Sequence, residues 1–340
     1  VRKRNFLWLI VCIAILAIPV LVIEGWNTRA KKEYEPLSLV PKETDFVMVV
    51  DMKKIVATKY YTEFKQDKKE LDDYYEFTEK TGIDPEKDLD IITISLKKME
   101  DDPDFVLIAT GRFDKEKILS SIKKEAAATE EEYQGKTIYK FADRHEKCEE
   151  EEMEKEEEAR HRHKEDEVRL AFLDSDIVAI SNSGLIKNAV DLYQGKGESI
   201  EQNQTLMDVV KEIDQDDMVW GAGVVPEKVK MRAPQEHPMG NIVATIKSVV
   251  FSLDLEKELD ALFKIKSDCK ENVKNIADAI NGLLALGRMN YAEQPDYMEL
   301  LEGITVEGTE DIVSVSVHIP ENLLDKLSKE VTKKKCKHED

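Results

Sequence analysis

Arg2, Lys3 and Arg4 stand directly before an almost unbroken apolar run, Phe6 to Ile23, and no other feature restricts the possible architectures as much. At about 1.5 Å per residue such a run approaches the ~30 Å hydrocarbon thickness of a bilayer. It predicts a transmembrane anchor over residues 1–27, with Phe6, Leu7, Trp8, Leu9, Ile10, Ile23 and Trp26 as membrane contacts. Trp8 and Trp26 lie near its two ends, where indole rings favour the headgroup layer. Pro19 introduces a tolerated kink, and Cys12 reads as an ordinary apolar residue of the span.

A cleaved secretory signal has a shorter apolar centre and a small-residue cleavage site. Here Ile18-Pro19-Val20-Leu21-Val22-Ile23 continues into Glu24-Gly25-Trp26 without an A-x-A pattern, which predicts an uncleaved signal anchor. Arg2, Lys3 and Arg4 are the topology determinants; Arg29, Lys31 and Lys32 oppose them from the other side. The nearer basic cluster places the amino end in the cytoplasm and the body outside it, periplasmic or on the outer surface. A juxtamembrane linker follows over 28–40, and no second comparable apolar run exists.

The remaining ~310 residues are long enough to bury a large core or two moderate ones. A net charge of −21 and a pI near 4.9 argue against nucleic-acid binding, which needs Lys and Arg to displace counterions from phosphates, and against broad adhesion to anionic lipid. Cys148, Cys269 and Cys336 are widely spaced and form neither a disulfide framework nor a C-x-x-C motif.

One pattern recurs through the body. Asp45-Phe46-Val47, Asp104-Phe105-Val106, Asp176-Ile177-Val178, Asp217-Met218-Val219 and Asp311-Ile312-Val313 each open a short apolar stretch. Each then leads to a helical pattern: Met52 to Tyr61, Asp114 to Lys124, Ser183 to Tyr193, Pro226 to Val229 and Pro320 to Val331. Their irregular spacing excludes a solenoid. Further strands are expected at Asp90 to Leu96, Lys136 to Ala142, Val168 to Leu173 and Val249 to Leu255, with Arg169 to Ser181 a hairpin turning at Asp174-Ser175-Asp176.

Hairpins mixed with strand-helix units predict an α+β class: a two-layer antiparallel or mixed sheet with helices on one face, arranged as duplicated ferredoxin-like halves. The first half spans 41–230, with a charged insertion at 143–167, and the second spans 241–332; a basic tail occupies 333–340. The division is placed between Val225 and Asn241, where Pro226, Pro234, Pro238 and Gly240 gather. In the second half, Val273, Ile276, Ala277, Ile280, Leu283 and Leu284 recur at helical spacing and read as a core-facing stripe.

In Thr81 to Asp90, Gly82 suits a left-handed helix end, Asp84 a cap and Pro85 the first position of a new turn. Together with Pro41 to Ile55 and Asp104 to Ile118, this segment resembles a group of uncharacterised bacterial signal-anchored exported proteins carrying a domain of unknown function. The resemblance implies an envelope location and a duplicated α/β body, and transfers no active site.

The insertion holds Glu149 to Glu152, Glu154 and Glu156 to Glu158 among Lys147, Lys155, Arg160, Arg162 and Lys164. It cannot be core, and a solvated charge run is the preferred reading, as a fraying helix or as disorder. Its functional alternative is an arm that meets a basic partner through Glu150, Glu151, Glu152, Glu156 and Glu157. His145 and Cys148 are a ligand-like pair, whereas His161 and His163 diverge on a helix; neither supplies the three or four converging ligands that tight metal binding needs, so no metal is assigned to them. Lys333 to Lys335, Cys336, Lys337 and His338 read as a solvated terminus.

The Tyr60-Tyr61 and Tyr74-Tyr75 pairs with Phe64, Leu71 and Phe77 fit a helix face buried on the sheet better than a ligand groove. Trp220 is likewise expected in the core, between residues such as Gly221 and Gly223 that let another backbone approach. Gly221-Ala222-Gly223 and Gly195-Lys196-Gly197 complete neither a dinucleotide fingerprint nor a P-loop, and neither G-x-S-x-G nor H-E-x-x-H occurs. Pairs such as Asp72-Asp73 and Asp216-Asp217 do acid-base work only inside a cleft. No cofactor, catalytic residue or nucleic-acid partner is assigned. The expected function is that of a non-catalytic membrane-tethered extracytoplasmic protein, with the bilayer and an envelope protein or component as partners. The alternatives are a metal-dependent hydrolase or transferase using dispersed carboxylates, and a carrier of lipid or another apolar ligand.

Overall fold

The chain's computed structural model describes residues 35–64, 68–97, 103–143, 167–232 and 244–327. The anchor residues, the body of the charged insertion and the basic tail lie outside the described residues. No described helix is long and apolar enough to cross a membrane.

The five Asp-led stretches become strands β1 (Phe46–Asp51), β3 (Asp104–Gly111), β7 (Ile177–Ser181), β8 (Val219–Val224) and β12 (Ile312–Ile319). Between them lie β2 (Leu89–Lys97), β4 (Ala126–Tyr133), β5 (Lys136–Asp143), β6 (Val168–Asp174), β9 (Ile246–Leu255), β10 (Leu259–Ser267) and β11 (Ile304–Gly308). All pair in one antiparallel sheet of order β11-β12-β10-β9-β8-β1-β2-β3-β7-β6-β5-β4. The class is α+β, as expected.

The helices are α1 (Met52–Val56), α2 (Lys59–Phe64), α3 (Lys68–Thr81), α4 (Pro85–Asp88), α5 (Lys115–Glu125), α6 (Leu185–Tyr193), α7 (Gln204–Val210), α8 (Glu227–Arg232), α9 (Lys270–Asn290) and α10 (Pro295–Glu302), with a last one, α11, over residues 321–327. Several start on side-chain caps. Asp51 accepts from Lys54 N at 3.0 Å, Asp114 from Lys117 N at 3.0 Å and Asn203 from Leu206 N at 3.2 Å. Gly82 adopts φ +72°, and a Cβ there would lie 3.1 Å from the Lys117 carbonyl oxygen, so both conformation and space favour glycine between α3 and α4.

The helices do not lie on one face. Val50, Leu107, Tyr139, Leu170 and Val178 face Met52, Ile55, Tyr61 and Ile118 of α1, α2 and α5. On the opposite face, α7 covers Val47, Val49, Trp220 and Ala222, while α6 covers Val106, Ile108, Ala171 and Ala179. The cause is in the strands: Val47 to Val50, Val106 to Ala109 and Ile177 to Ile180 are apolar at consecutive positions, so neighbouring side chains point to opposite faces and both need cover.

Nor is the topology ferredoxin-like. That unit joins parallel strands through a split β-α-β crossover, whereas β1 runs through α1–α4 into β2 and pairs with it directly, antiparallel, Phe46 opposite Leu96. Two runs of similar order are nevertheless present. In the first, β1, helices, β2, β3 and α5 lead to β4–β7, with β7 returning beside β3; in the second, β8, α8, β9, β10 and α9–α10 lead to β11–β12, with β12 returning beside β10. β1 and β8 pair antiparallel at the junction, fusing both runs into one sheet.

Candidate interaction surface

Cross-strand partners share a face, so the ladder Phe46, Gly223, Val249, Ile265 and Val313 puts the α9 seat on the same side of the sheet as α1 and α5. There Val273 and Ile276 are buried on Val313, and Ala277 and Ile280 pack half-buried around them with Ile265, Val306 and Val315. The expected stripe is therefore real in the first three turns. It fails at Leu283, which is 65 % exposed. At 100° per residue, Leu283, Leu286 and Met289 lie about 80°, 140° and 160° around the helix from Val273, turned progressively away from the sheet.

Leu286 is 57 % and Met289 75 % exposed, giving three large apolar side chains on one outward flank. From Ala279 to Ala292 the only charged residue is Arg288, in a chain whose charged content is 36 %. An ordinary solvent face of this protein would carry several charges in such a length.

The flank is held on a fixed support. Gly287 lies against α10, where an added Cβ would sit 3.3 Å from Leu301 Cδ1, and Arg288 Nη2 donates to the Leu301 carbonyl at 3.2 Å. The Tyr291 and Tyr297 rings stack at 5.0 Å. On the same sheet face Phe46, Phe251 and Phe263 form a ladder with centroids 6.3 and 6.2 Å apart, and Phe263 is partly open to solvent. Gly221 and Gly223 make room for it, since a Cβ on either would strike the Phe251 or Phe46 ring.

Two polar groupings hold elements together. Lys59 of α2 binds both Glu321 and, at 2.7 Å, Asp325 of α11. Desolvation opposes its charge, but hydrogen bonds to the two carboxylates outweigh that and hold its pKa above the ordinary lysine range. Asp84 bonds Tyr74, Lys87 and the backbone of Glu86. Burial works against its charge, and these donors nevertheless depress its pKa. Tyr61 is core and burial pushes its phenol upward; Tyr74 is half-buried, while Tyr75 is exposed. Tyr60 donates to the Lys257 carbonyl at 2.6 Å. Of these residues Tyr61 and Phe77 pack into the core as expected, Tyr75 departs from the expected buried face, and the side chains of Phe64, Leu71, Asp72 and Asp73 lie outside the described residues. Trp220 is buried as expected.

Asp216 and Asp217 occupy the turn before β8, where the Asp216 carbonyl accepts from Lys54 Nζ; Asp216 is exposed and Asp217 half-buried. Cys269 is exposed at the α9 N-cap. A small cavity of about 10 Å³ lies among Leu39, Ile91, Thr93, Ile108 and Thr110, room for one water at most. Among the described residues one group brings three metal-ligating side chains together: Glu258, Asp260 and His318. No sequence motif marks it, because 58 residues separate Asp260 from His318 and only the β10–β12 pairing unites them. Phe6 to Trp26, Arg2 to Arg4, Glu150 to Glu157, His145, Cys148, His161 and His163 all lie outside the described residues.

No protein-family model and no curated protein matches the chain. Among solved structures it is similar to TP0453 in several crystal forms. Form I matches with TM-score 0.45 and 8 % identity, covering 89 % of this chain and 98 % of that one. Form III gives 0.44 and 11 % over 89 % and 100 %, and form IV gives 0.45 and 10 % over 88 % and 97 %.

Proposed function

We propose that this chain is a non-catalytic, membrane-tethered extracytoplasmic protein, held by the apolar run Phe6 to Ile23, whose folded body binds an envelope protein through the outward flank of α9. The observation that carries the binding role is the exposure of Leu283, Leu286 and Met289 in a nearly uncharged stretch of an otherwise charge-rich chain. Apolar side chains clustered on a fixed support gain free energy when a partner removes them from water. The acidic insertion, through Glu150 to Glu152, Glu156 and Glu157, is proposed as a secondary contact for a basic partner. We also take the two runs of similar strand order as products of one duplicated unit, with the division before Val219 rather than between Val225 and Asn241.

A photo-crosslinking residue at position 286 of the full chain, compared with one at Glu130 on the β4 edge, tests the binding role in intact cells. The expected result is a discrete crosslinked species at 286 and none at 130. Equal labelling at both positions, or none at either, refutes it. Protease protection in cells and spheroplasts tests the tether separately: the body is expected to be digested only once the outer barrier is opened or from the outer surface. Digestion only after lysis of the inner membrane would place the body in the cytoplasm.

A further inference from the structure

Asp260 of β10 and His318 of β12 are direct cross-strand partners, so their side chains rise from the same face of the sheet. Glu258 sits two residues before Asp260, in the short β9–β10 turn. The His318 backbone is fixed on both sides: it pairs with β10, and its N–H donates to the Gly303 carbonyl at 2.9 Å. The imidazole is oriented too, with Nδ1 at 2.8 Å from Asp260 Oδ1. The second ring nitrogen, Nε2, faces Glu258 Oε2 at 3.8 Å.

That last separation is informative. It is too long for a hydrogen bond. Zinc bonds to imidazole nitrogen are about 2.0–2.1 Å and to carboxylate oxygen about 2.0–2.2 Å, so an ion between the two atoms would span about 4.0–4.3 Å when linear and about 3.3–3.5 Å when tetrahedral. A movement of about half an ångström by the exposed Glu258 side chain closes the tetrahedral geometry. The Asp260 carboxylate meanwhile accepts from Nδ1–H, the arrangement that fixes the tautomer and raises the basicity of a metal-binding histidine.

We infer that Glu258, Asp260 and His318 form a surface site for a zinc-type divalent cation, with His318 Nε2 and Glu258 as ligands, Asp260 as the positioning residue and water filling the open coordination positions. An imidazole nitrogen selects borderline transition ions over Ca²⁺ and Mg²⁺, which prefer all-oxygen shells. When His318 is protonated, binding breaks its Nε2–H bond, forms Nε2–Zn and releases one proton to solvent. Asp254 stands opposite Asp260 on β9, so the face surrounding the site adds negative charge that favours a cation.

The test uses the full chain in detergent micelles, selectively ¹⁵N-labelled at histidine, titrated with zinc chloride to about 1 mM, the edge of useful affinity. His318 ring signals are assigned by their absence in His318→Gln. The expected result is saturable movement of His318 Nε2 with Nδ1 remaining protonated, loss of that response in Glu258→Gln, and a titration midpoint about 10- to 100-fold higher in Asp260→Asn. Calcium at the same concentration should leave the signals in place. The site is refuted if His318 does not respond to zinc, if Glu258→Gln responds like the parent, or if calcium reproduces the shift. All three residues are exposed, so the variants are expected to melt with the parent in the absence of metal; a variant that does not is replaced by Glu258→Lys, which must also abolish the response.

Discussion

Replacing Leu283, Leu286 and Met289 together with glutamine separates two accounts of the α9 flank. Glutamine has nearly the helix propensity of leucine and methionine, and exposed substitutions usually change stability by no more than about 0.5 kcal/mol each. The residues are 65 %, 57 % and 75 % exposed, so the folded body has little to lose. A partner that covers them has more. Complete burial of such a side chain contributes about 1.5–3 kcal/mol, so covering the exposed portion yields about 1–2 kcal/mol per residue and about 3–6 kcal/mol as an upper limit for the three. Ordering the interface offsets part of that, leaving a loss of at least about 2 kcal/mol, or about 30-fold in affinity. Thermal melting of the purified chain and crosslink yield from a probe at position 282, beside the altered residues, measure the two sides. The expected result is an unchanged melting temperature with crosslinking reduced at least tenfold. A melting temperature lowered by many degrees would show that the flank is core, and undiminished crosslinking would show that it does not carry binding.

Three further expectations concern the scaffold. Met52→Ala removes a fully buried side chain between α1 and the sheet and should cost about 2–5 kcal/mol by denaturant unfolding. Gly303→Ala drives a Cβ into the carbonyl oxygen of His318 and should destabilise by about 1–3 kcal/mol, while moving the His318 ring signals, whereas Gly282→Ala, with open space around it, should leave both unchanged or slightly improve helicity. Asp84→Ala removes the α4 cap and the acceptor of Tyr74 and Lys87 and should cost about 1 kcal/mol at neutral pH. Because the folded pKa of Asp84 is depressed, its contribution is present above the unfolded value of 3.8 and lost as pH falls through the folded one, so parent and variant stabilities should converge in acid.

The local grammar of this chain was legible where one short stretch decides the outcome. Asp114 and Asp84 cap the helices their positions suggest, Gly82 takes the left-handed conformation, and every Asp-led apolar stretch became a strand followed by a helix. What escaped was non-local or lacked a pattern. Ala126 to Tyr133 carries Glu130, Glu131 and Glu132 in succession and has no alternation, because β4 is an edge strand whose charges block further pairing. Two-sided burial of β1, β3 and β7 was written in their consecutive apolar residues, yet helix placement depends on which strands meet, and the β1–β8 pairing joins residues as far apart in sequence as Phe46 and Gly223. The same distinction governs the candidate sites. The α9 periodicity was readable, but whether Leu283 faced core or solvent depended on which part of the helix packs on β10, β11 and β12. Glu258, Asp260 and His318 have no sequence motif, since a site assembled by sheet register leaves its ligands at spacings set by the intervening helices and not by the chemistry.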